Sequence, residues 1–252
     1  MEAPEFLKLT HQNIGDEHIC CAFSDKKCAK GYQGKKEWLK NQFDEGFVFH
    51  KLNVRGKVFI EYAPAEKGWL PIDAPGYMLI HCFWVSGQYK DQGYGRQLLE
   101  HCLEASQGMN GVVVVTGKDK MPFMSDKKFF QKQGFQLADA AAPYFELWYK
   151  PIKEDAPIPR FKDIARNARC DIEQGLAVYY SPACPFNDYY VNVELKRVAE
   201  KRGIPLTIKP IESREQAQNH FVPHTLYSVF YNGQFVTHQV LNEKYFLKYF
   251  RG

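Results

Sequence analysis

The chain has 252 residues, 45% of them hydrophobic and 25% charged, with a formal net charge of +4 at pH 7. That is enough for one large or two modest domains, and the scattered charge, without a block of like residues, speaks against nucleic acid as a partner. No stretch approaches the roughly 18 consecutive apolar residues of a membrane helix, and Glu2, Glu5, Asp16 and Glu17 near the start are unlike a secretory leader, so a cytoplasmic protein without membrane attachment is expected.

Phe6, Leu7 and Leu9 alternate with polar residues and predict a strand over 5–10. Two helices are expected next, about Asp16 to Phe23 and Lys35 to Phe43, followed by strands Phe47–Leu52 and Val58–Tyr62 about the turn Val54-Arg55-Gly56. The apolar run Tyr77–Val85 contains neither Gly nor Pro and reads as a buried strand. Polar Ser86–Gln92 leads to Gly93-Tyr94-Gly95-Arg96, and Leu98, Leu99, Cys102 and Leu103 then form the apolar stripe of a helix over about 94–107. Strand, glycine loop and helix N-terminus, in that order, make an anion site. The first turn has unpaired N–H groups and the positive end of the helix dipole, and glycine lets a ligand approach the backbone. Lys90 and Arg96 add positive charge at the rim, so a phosphate or pyrophosphate fits. A dinucleotide fingerprint would need a third glycine and a placed acidic residue, and a Walker loop would need Gly-Lys-Ser/Thr; neither is present.

A second strand, Val112–Val115, a helix over 126–133 and strands near Phe135 and from Tyr144 to Tyr149 complete the first half. Pro151, Pro157 and Pro159 mark a connector, with a short helix expected over Phe161–Arg169. A new βα pattern opens at Leu176–Tyr180, passes through Ser181-Pro182-Ala183-Cys184-Pro185-Phe186-Asn187, and enters a helix capped by Asn187 or Asp188 and ending at Gly203. Strands Ile204–Ile211, Tyr227–Tyr231 and Phe235–Val240, the last two about the Asn232-Gly233 turn, and a helix Asn242–Phe250 follow. The division expected is 1–150, a connector over 151–172, and 173–252. The fold class is α/β.

Lys90-Asp91-Gln92-Gly93-Tyr94-Gly95 resembles the (Gln/Arg)-x-x-Gly-x-Gly/Ala signature of the GNAT N-acetyltransferases, with Lys in the first place. Phe129-Phe130-Gln131-Lys132-Gln133-Gly134-Phe135 resembles the family's second signature, and the element order over about 5–150 agrees. The resemblance implies a GNAT acyltransferase fold and an acetyl-CoA-dependent acyltransferase moving an acetyl group to an amine of a small molecule or peptide. It implies that acetyl-CoA is held by Phe83, Trp84 and Val85 along the pantetheine arm and by Lys90, Asp91, Gln92, Gly93, Tyr94, Gly95 and Arg96 at the pyrophosphate. The second half resembles a smaller thioredoxin-like domain, more narrowly glutaredoxin: Tyr180-Ser181-x-x-Cys184-Pro185-Phe186 matches the redox loop, and Val222-Pro223 matches the cis-proline loop. Asn187 stands where the second cysteine belongs, and the glycine pair after the hairpin is missing. Together the halves resemble bacterial acetyltransferases with a C-terminal YoaP-like domain.

Acetyl transfer needs an amine that has lost its proton, an oxyanion that is stabilised and a thiolate that is protonated as it leaves. His81, on the central strand, and Glu61, on the preceding one, are the candidate bases; a hydrogen-bonded core residue is the competing reading of His81. Phe130 occupies the place where many relatives carry the acidic Tyr, so Tyr144 is the candidate acid, with packing as its alternative role. Cys184, ahead of a helix N-terminus, is the candidate reactive thiol, able to form a mixed disulfide but not to cycle as a dithiol. The seven cysteines read as reduced thiols, and Cys20, Cys21, Cys28 and His18 lack metal-ligand spacing, so no metal is expected. A non-catalytic acyl-CoA or thiol-ligand sensor, or a monothiol redox protein using Cys184, is the alternative function. Sequence fixes neither the acceptor nor the oligomeric state.

Overall fold

A computed structural model of the chain describes residues 5–250. Two compact units emerge. The first takes the residues through Cys21, Leu39–Gly68 and Ile72–Lys162; the second takes Ala22–Trp38, Trp69–Pro71 and the residues from Asp163 on. Residues 22–38, read from sequence with the first half, thus count with the second.

The first unit is built on a seven-stranded sheet. Its strands are β1 (Phe6–Lys8), β2 (Val48–Leu52), β3 (Val58–Pro64), β5 (Tyr77–Val85), β6 (Gly111–Gly117), β7 (Gln136–Ala141) and β8 (Phe145–Pro151), in the order β1-β2-β3-β5-β6-β8-β7. All neighbours are antiparallel except β5 and β6. The parallel pair is joined by helix α2 (Tyr94–Ala105), a crossover that parallel strands require. Leu98, Leu99 and Cys102 of α2 pack on Ile60, Tyr62, Met78, Ile80, Val112 and Val114, which makes the main core, joined by Phe130 of α3 (Lys127–Lys132).

Three elements depart from the sequence reading here. No helix forms over Asp16–Phe23; Cys20 and Ala22 sit at φ of 63° and 57°, left-handed values that a helix does not admit. His18 explains the loop: its Nδ1 accepts from Cys20 N at 3.2 Å and its Nε2 lies 2.9 Å from the Val54 carbonyl oxygen. Helix α1 runs from Ala29 to Phe43, starting six residues before the expected Lys35, because Asp25 caps a 3₁₀ turn (Lys26–Cys28) that feeds it. Residues 160–161 form no helix but a strand, β9 (Arg160–Phe161), paired with β4 (Ile72–Asp73); only Asp163–Ala165 coils, as a 3₁₀ turn.

The second unit has a four-stranded sheet, from β10 (Leu176–Tyr180), β11 (Leu206–Pro210), β12 (Tyr227–Tyr231) and β13 (Gln234–Thr237), in the order β11-β10-β12-β13. β10 is parallel to β11 and antiparallel to β12. Between β10 and β11 the chain winds through α4 (Asn187–Tyr189), a π-helical stretch (Tyr190–Leu195) and α5 (Lys196–Lys201), and Gly203 ends the turn at φ 63°. Val191, Leu195 and Val198 face the core with Val178, Val229 and Phe246. The expected Asn187 or Asp188 cap is replaced by Phe186, without a side-chain bond. A short helix the sequence reading missed, α6 (Arg214–Gln218), carries a Ser213–Gln216 capping box, and α7 (Glu243–Tyr249) is capped by Asn242. Val222–Pro223 is not the expected cis bond; among the described residues the cis peptide is Ala142–Pro143.

Candidate active site

Strand β5 sets the geometry. It pairs with β6 from Tyr77↔Gly111 to Ile80↔Val114 and then stops, while β6 continues along β8 as far as Gly117↔Phe145. On its other side β5 stays paired with β3, but the register jumps from Tyr62↔Ile80 to Glu61↔Cys82. His81 is therefore the extra residue of a β-bulge. Bulges bend a strand and raise its twist, and this one lies where β5 and β6 separate. The segment after β6 enters the gap, with a Thr116↔Ser125 bridge and Ser125 Oγ donating to the Phe83 carbonyl oxygen at 3.5 Å.

Beyond Val85 the chain makes a 3₁₀ turn (Gly87–Tyr89) and the loop into α2. Asp91 (φ 61°) and Gly93 (φ 82°) both take left-handed backbone, which bends the loop sharply ahead of the helix N-terminus. A Cβ at Gly95 would press on Phe129 and Phe83 at 3.3 and 3.4 Å. A cavity of about 500 Å³ opens here. Of the ten residues expected at the cofactor, nine line it: Phe83, Trp84, Val85, Lys90, Asp91, Gly93, Tyr94, Gly95 and Arg96. Gln92 does not; its side-chain amide donates to the Gln88 carbonyl oxygen and holds the loop.

Sequence reading missed the opposite wall, which includes Lys120, Met121, Met124, Ser125, Asp126 and Phe129. A signal existed. β6 is parallel to β5, so the loops that follow both strands open at the same edge of the sheet. Phe129 stacks on Phe83 at 4.9 Å, and Asp126 caps α3 by accepting from Lys128 N. Lys90, Arg96 and Lys120 give the cavity three cations against Asp91 and Asp126, and Arg96 also pairs with Glu100 at 2.9 Å.

The three candidate acid–base residues do not line this cavity. His81, half-buried at the bulge, stacks on Phe47 at 4.9 Å with 28° between the rings. Glu61 is buried on β3 opposite Cys82, so it and His81 sit on neighbouring strands at the same bulge. Tyr144 is half-buried just before β8, tilted on Phe145 at 4.7 Å. Phe130 is wholly inside the core.

Residues 54–137 match the acetyltransferase (GNAT) domain model, and residues 205–248 match the YoaP-like model. The chain is 42% identical over 245 residues to the uncharacterized N-acetyltransferase YoaP of Bacillus subtilis (strain 168), covering 96% of this chain and 97% of that protein. The chain belongs to the GNAT N-acetyltransferase family. Solved structures similar to it include an acetyltransferase from Thermus thermophilus (TM-score 0.43, 14% identity, covering 60% of this chain and 98% of that one). Another is the PaiA N-acetyltransferase of Thermoplasma acidophilum in complex with coenzyme A (TM-score 0.41, 15% identity, 60% and 99%). The assignment rests on the YoaP relative and the domain matches.

Proposed function

We propose that this GNAT acyltransferase takes acetyl-CoA into the cavity between the open edge of β5 and the loop into α2, and passes the acetyl group to an amine of a small molecule or peptide. One observation carries this: β5 leaves β6 at Ile80, beside a glycine loop and three cations. Backbone groups beyond the bulge are suited to pair with the amides of a pantetheine arm as another strand would. The N–H groups of the first turn of α2, with Lys90, Arg96 and Lys120, suit a pyrophosphate. Within the reaction, His81 or Glu61 takes the proton of the acceptor ammonium, and the Tyr144 hydroxyl returns one to the leaving thiolate. Residues 1–150 are read as the acetyl-CoA domain. The second unit, with the βαβαββα order and its parallel-then-antiparallel sheet, is read as thioredoxin-like. A non-catalytic sensor is the less favoured reading, since the YoaP relative carries an N-acetyltransferase name.

The test is release of free CoA thiol from acetyl-CoA across a panel of amines, followed by the pH profile of His81→Gln and Glu61→Gln. A true base should lose about 10²–10⁴-fold in kcat with little change in KM for acetyl-CoA. No release with any amine would sink the transferase reading, and unchanged kcat in either variant would remove that residue from the chemistry.

A further inference from the structure

The redox loop around Cys184 has Asn187 in place of a second cysteine, yet the fold supplies another thiol. Segment 22–38 packs against that loop within the second unit. Gly31 lies so close to Pro185 that a Cβ there would overlap the Pro185 carbonyl oxygen. Lys30 Nζ meets Asp188 Oδ1 at 2.9 Å, and Lys27 Nζ stands over the Tyr189 ring at 5.4 Å. Cys28 is one helical turn before Gly31, so both are on the same helix face. Tyr190 feels the charges of Asp25, Lys27 and Cys28, and the turn that carries Cys28 packs on α4, which follows Cys184. We propose that Cys28 and Cys184 are a two-thiol redox pair that reduces small disulfides, with Cys184 attacking and Cys28 resolving.

The roles follow from where each sulfur sits. Cys28 is fully buried, so no disulfide reaches it from solvent. Cys184 is half-buried and lines a cavity of about 650 Å³ with Lys30, Tyr180, Asp188 and Glu212. Ser181 lines the same cavity, and its Oγ is buried without a hydrogen-bond partner among the described residues, which suits a polar ligand there. Asn187 does a different job from a cysteine: its amide donates to the carbonyl oxygens of Ser181 and Leu226, tying the loop to the chain before β12. The Asp188 carboxylate, which would oppose a Cys184 thiolate, is paired with Lys30. Burial, then the neighbouring Asp25 carboxylate, push the Cys28 thiol up to about 11. A resolving sulfur can stay protonated until it is needed, and a high-pKa thiolate is the stronger nucleophile once formed.

The steps balance. The Cys184 thiolate attacks one sulfur of a disulfide RS–SR; the Cys184–SR bond forms, RS–SR breaks, and RS⁻ leaves to take a proton. The Cys28 thiol gives its proton to the Asp25 carboxylate, and its sulfur attacks Cys184 Sγ. The Cys28–Cys184 bond forms, Cys184–SR breaks, and the second RS⁻ leaves, taking up the proton that Asp25 received. Two electrons pass from the protein dithiol to the disulfide, yielding two RSH.

Oxidised glutathione is the probe, added to the full chain and quenched by acid and alkylation before peptide mapping. Cys170 and Cys184 share one tryptic peptide, 170–196, so fragmentation must separate them. The wild type should yield a Cys28–Cys184 cross-link and only a trace of glutathione on Cys184. Cys28→Ser should hold about one equivalent of glutathione on Cys184. Asp25→Asn, which still caps the turn, should slow the second step alone. A persistent glutathione adduct on Cys184 in the wild type, a cross-link from Cys184 to another cysteine, or a wild-type Cys184 that shows neither cross-link nor glutathione would each overturn the pair. These readouts need only the wild type, so a misfolded variant cannot hide the answer.

Discussion

Gly93 is held at φ 82°, and a Cβ there would meet Gln97 Nε2 at 3.8 Å, an ordinary contact, so the objection to a side chain there is conformational, not steric. Gly93→Ala should cost about 1 kcal/mol of stability through the left-handed backbone alone. It should also weaken acetyl-CoA binding by about ten-fold, because the loop's N–H groups are re-aimed. Gly95 is the reverse case: its backbone is ordinary, but Val would push on Phe83 and Phe129, which line the cavity. Overpacking of that kind costs about 1–3 kcal/mol, and here it also narrows the ligand's own space. Titration calorimetry with acetyl-CoA, alongside far-UV circular dichroism, separates the two effects. Full affinity in folded Gly95→Val would mean the ligand lies elsewhere.

At the scale of elements, the loop after β6 brings Lys120 to the cavity, while Lys118 on the same loop does not line it. Lys120→Ala should raise the Kd for acetyl-CoA about three- to ten-fold at low ionic strength, with the difference shrinking in salt, as exposed charge pairs are screened. Lys118→Ala is the control and should leave Kd unchanged; equal effects would reduce both lysines to general charge. The β5–loop–α2 unit was legible in the sequence because every signal in it is local: an uninterrupted apolar run, two glycines, a helical stripe. What sequence did not show depends on distant partners. Asp16–Phe23 reads as helical until His18 is seen to bond to Val54 from another part of the chain. The second helix reads as starting near Lys35, whereas α1 already includes Gly31, whose missing Cβ lets it touch the Pro185 carbonyl. Asn187 looked like a lost cysteine and is a clamp between two backbone oxygens. Lys120 escaped because nothing in a loop's composition says which strand edge it covers.

For the whole molecule, histidines held neutral by burial set an acid limit in both units. Burial pushes His50 down to about 4, helped by His101, and pushes His220 down to about 3. His220 Nε2 is bonded to Ser228 Oγ at 2.7 Å inside the second unit. An unfolded imidazole takes its proton near 6.5, so between that pH and 3–4 the unfolded chain binds more protons than the folded one. Stability is therefore full above 6.5 and falls as the pH drops through that window. Urea midpoints from about pH 7.5 to about pH 4 should decline accordingly, and His220→Gln should flatten the slope; an unchanged slope would mean His220 titrates normally. The second unit's dependence on the early chain gives the last prediction. Besides Gly31 and Lys30 on the Cys184 loop, the buried Thr225 hydroxyl donates to the Trp69 carbonyl oxygen at 2.6 Å, and Trp38 meets Trp69 edge-on at 5.3 Å. A fragment starting at Asp163 loses all of these partners. Leaving Thr225 orphaned costs about 1–3 kcal/mol, and exposing the face that α1 covers adds to it. Fragment 163–252 expressed alone should therefore melt well below the full chain or without a cooperative transition, and a peptide spanning 22–43 added in excess should raise its Tm by mass action. If the fragment alone melts cooperatively at the temperature of the full chain, residues 22–38 and 69–71 are only passengers on a domain that 163–252 completes by itself.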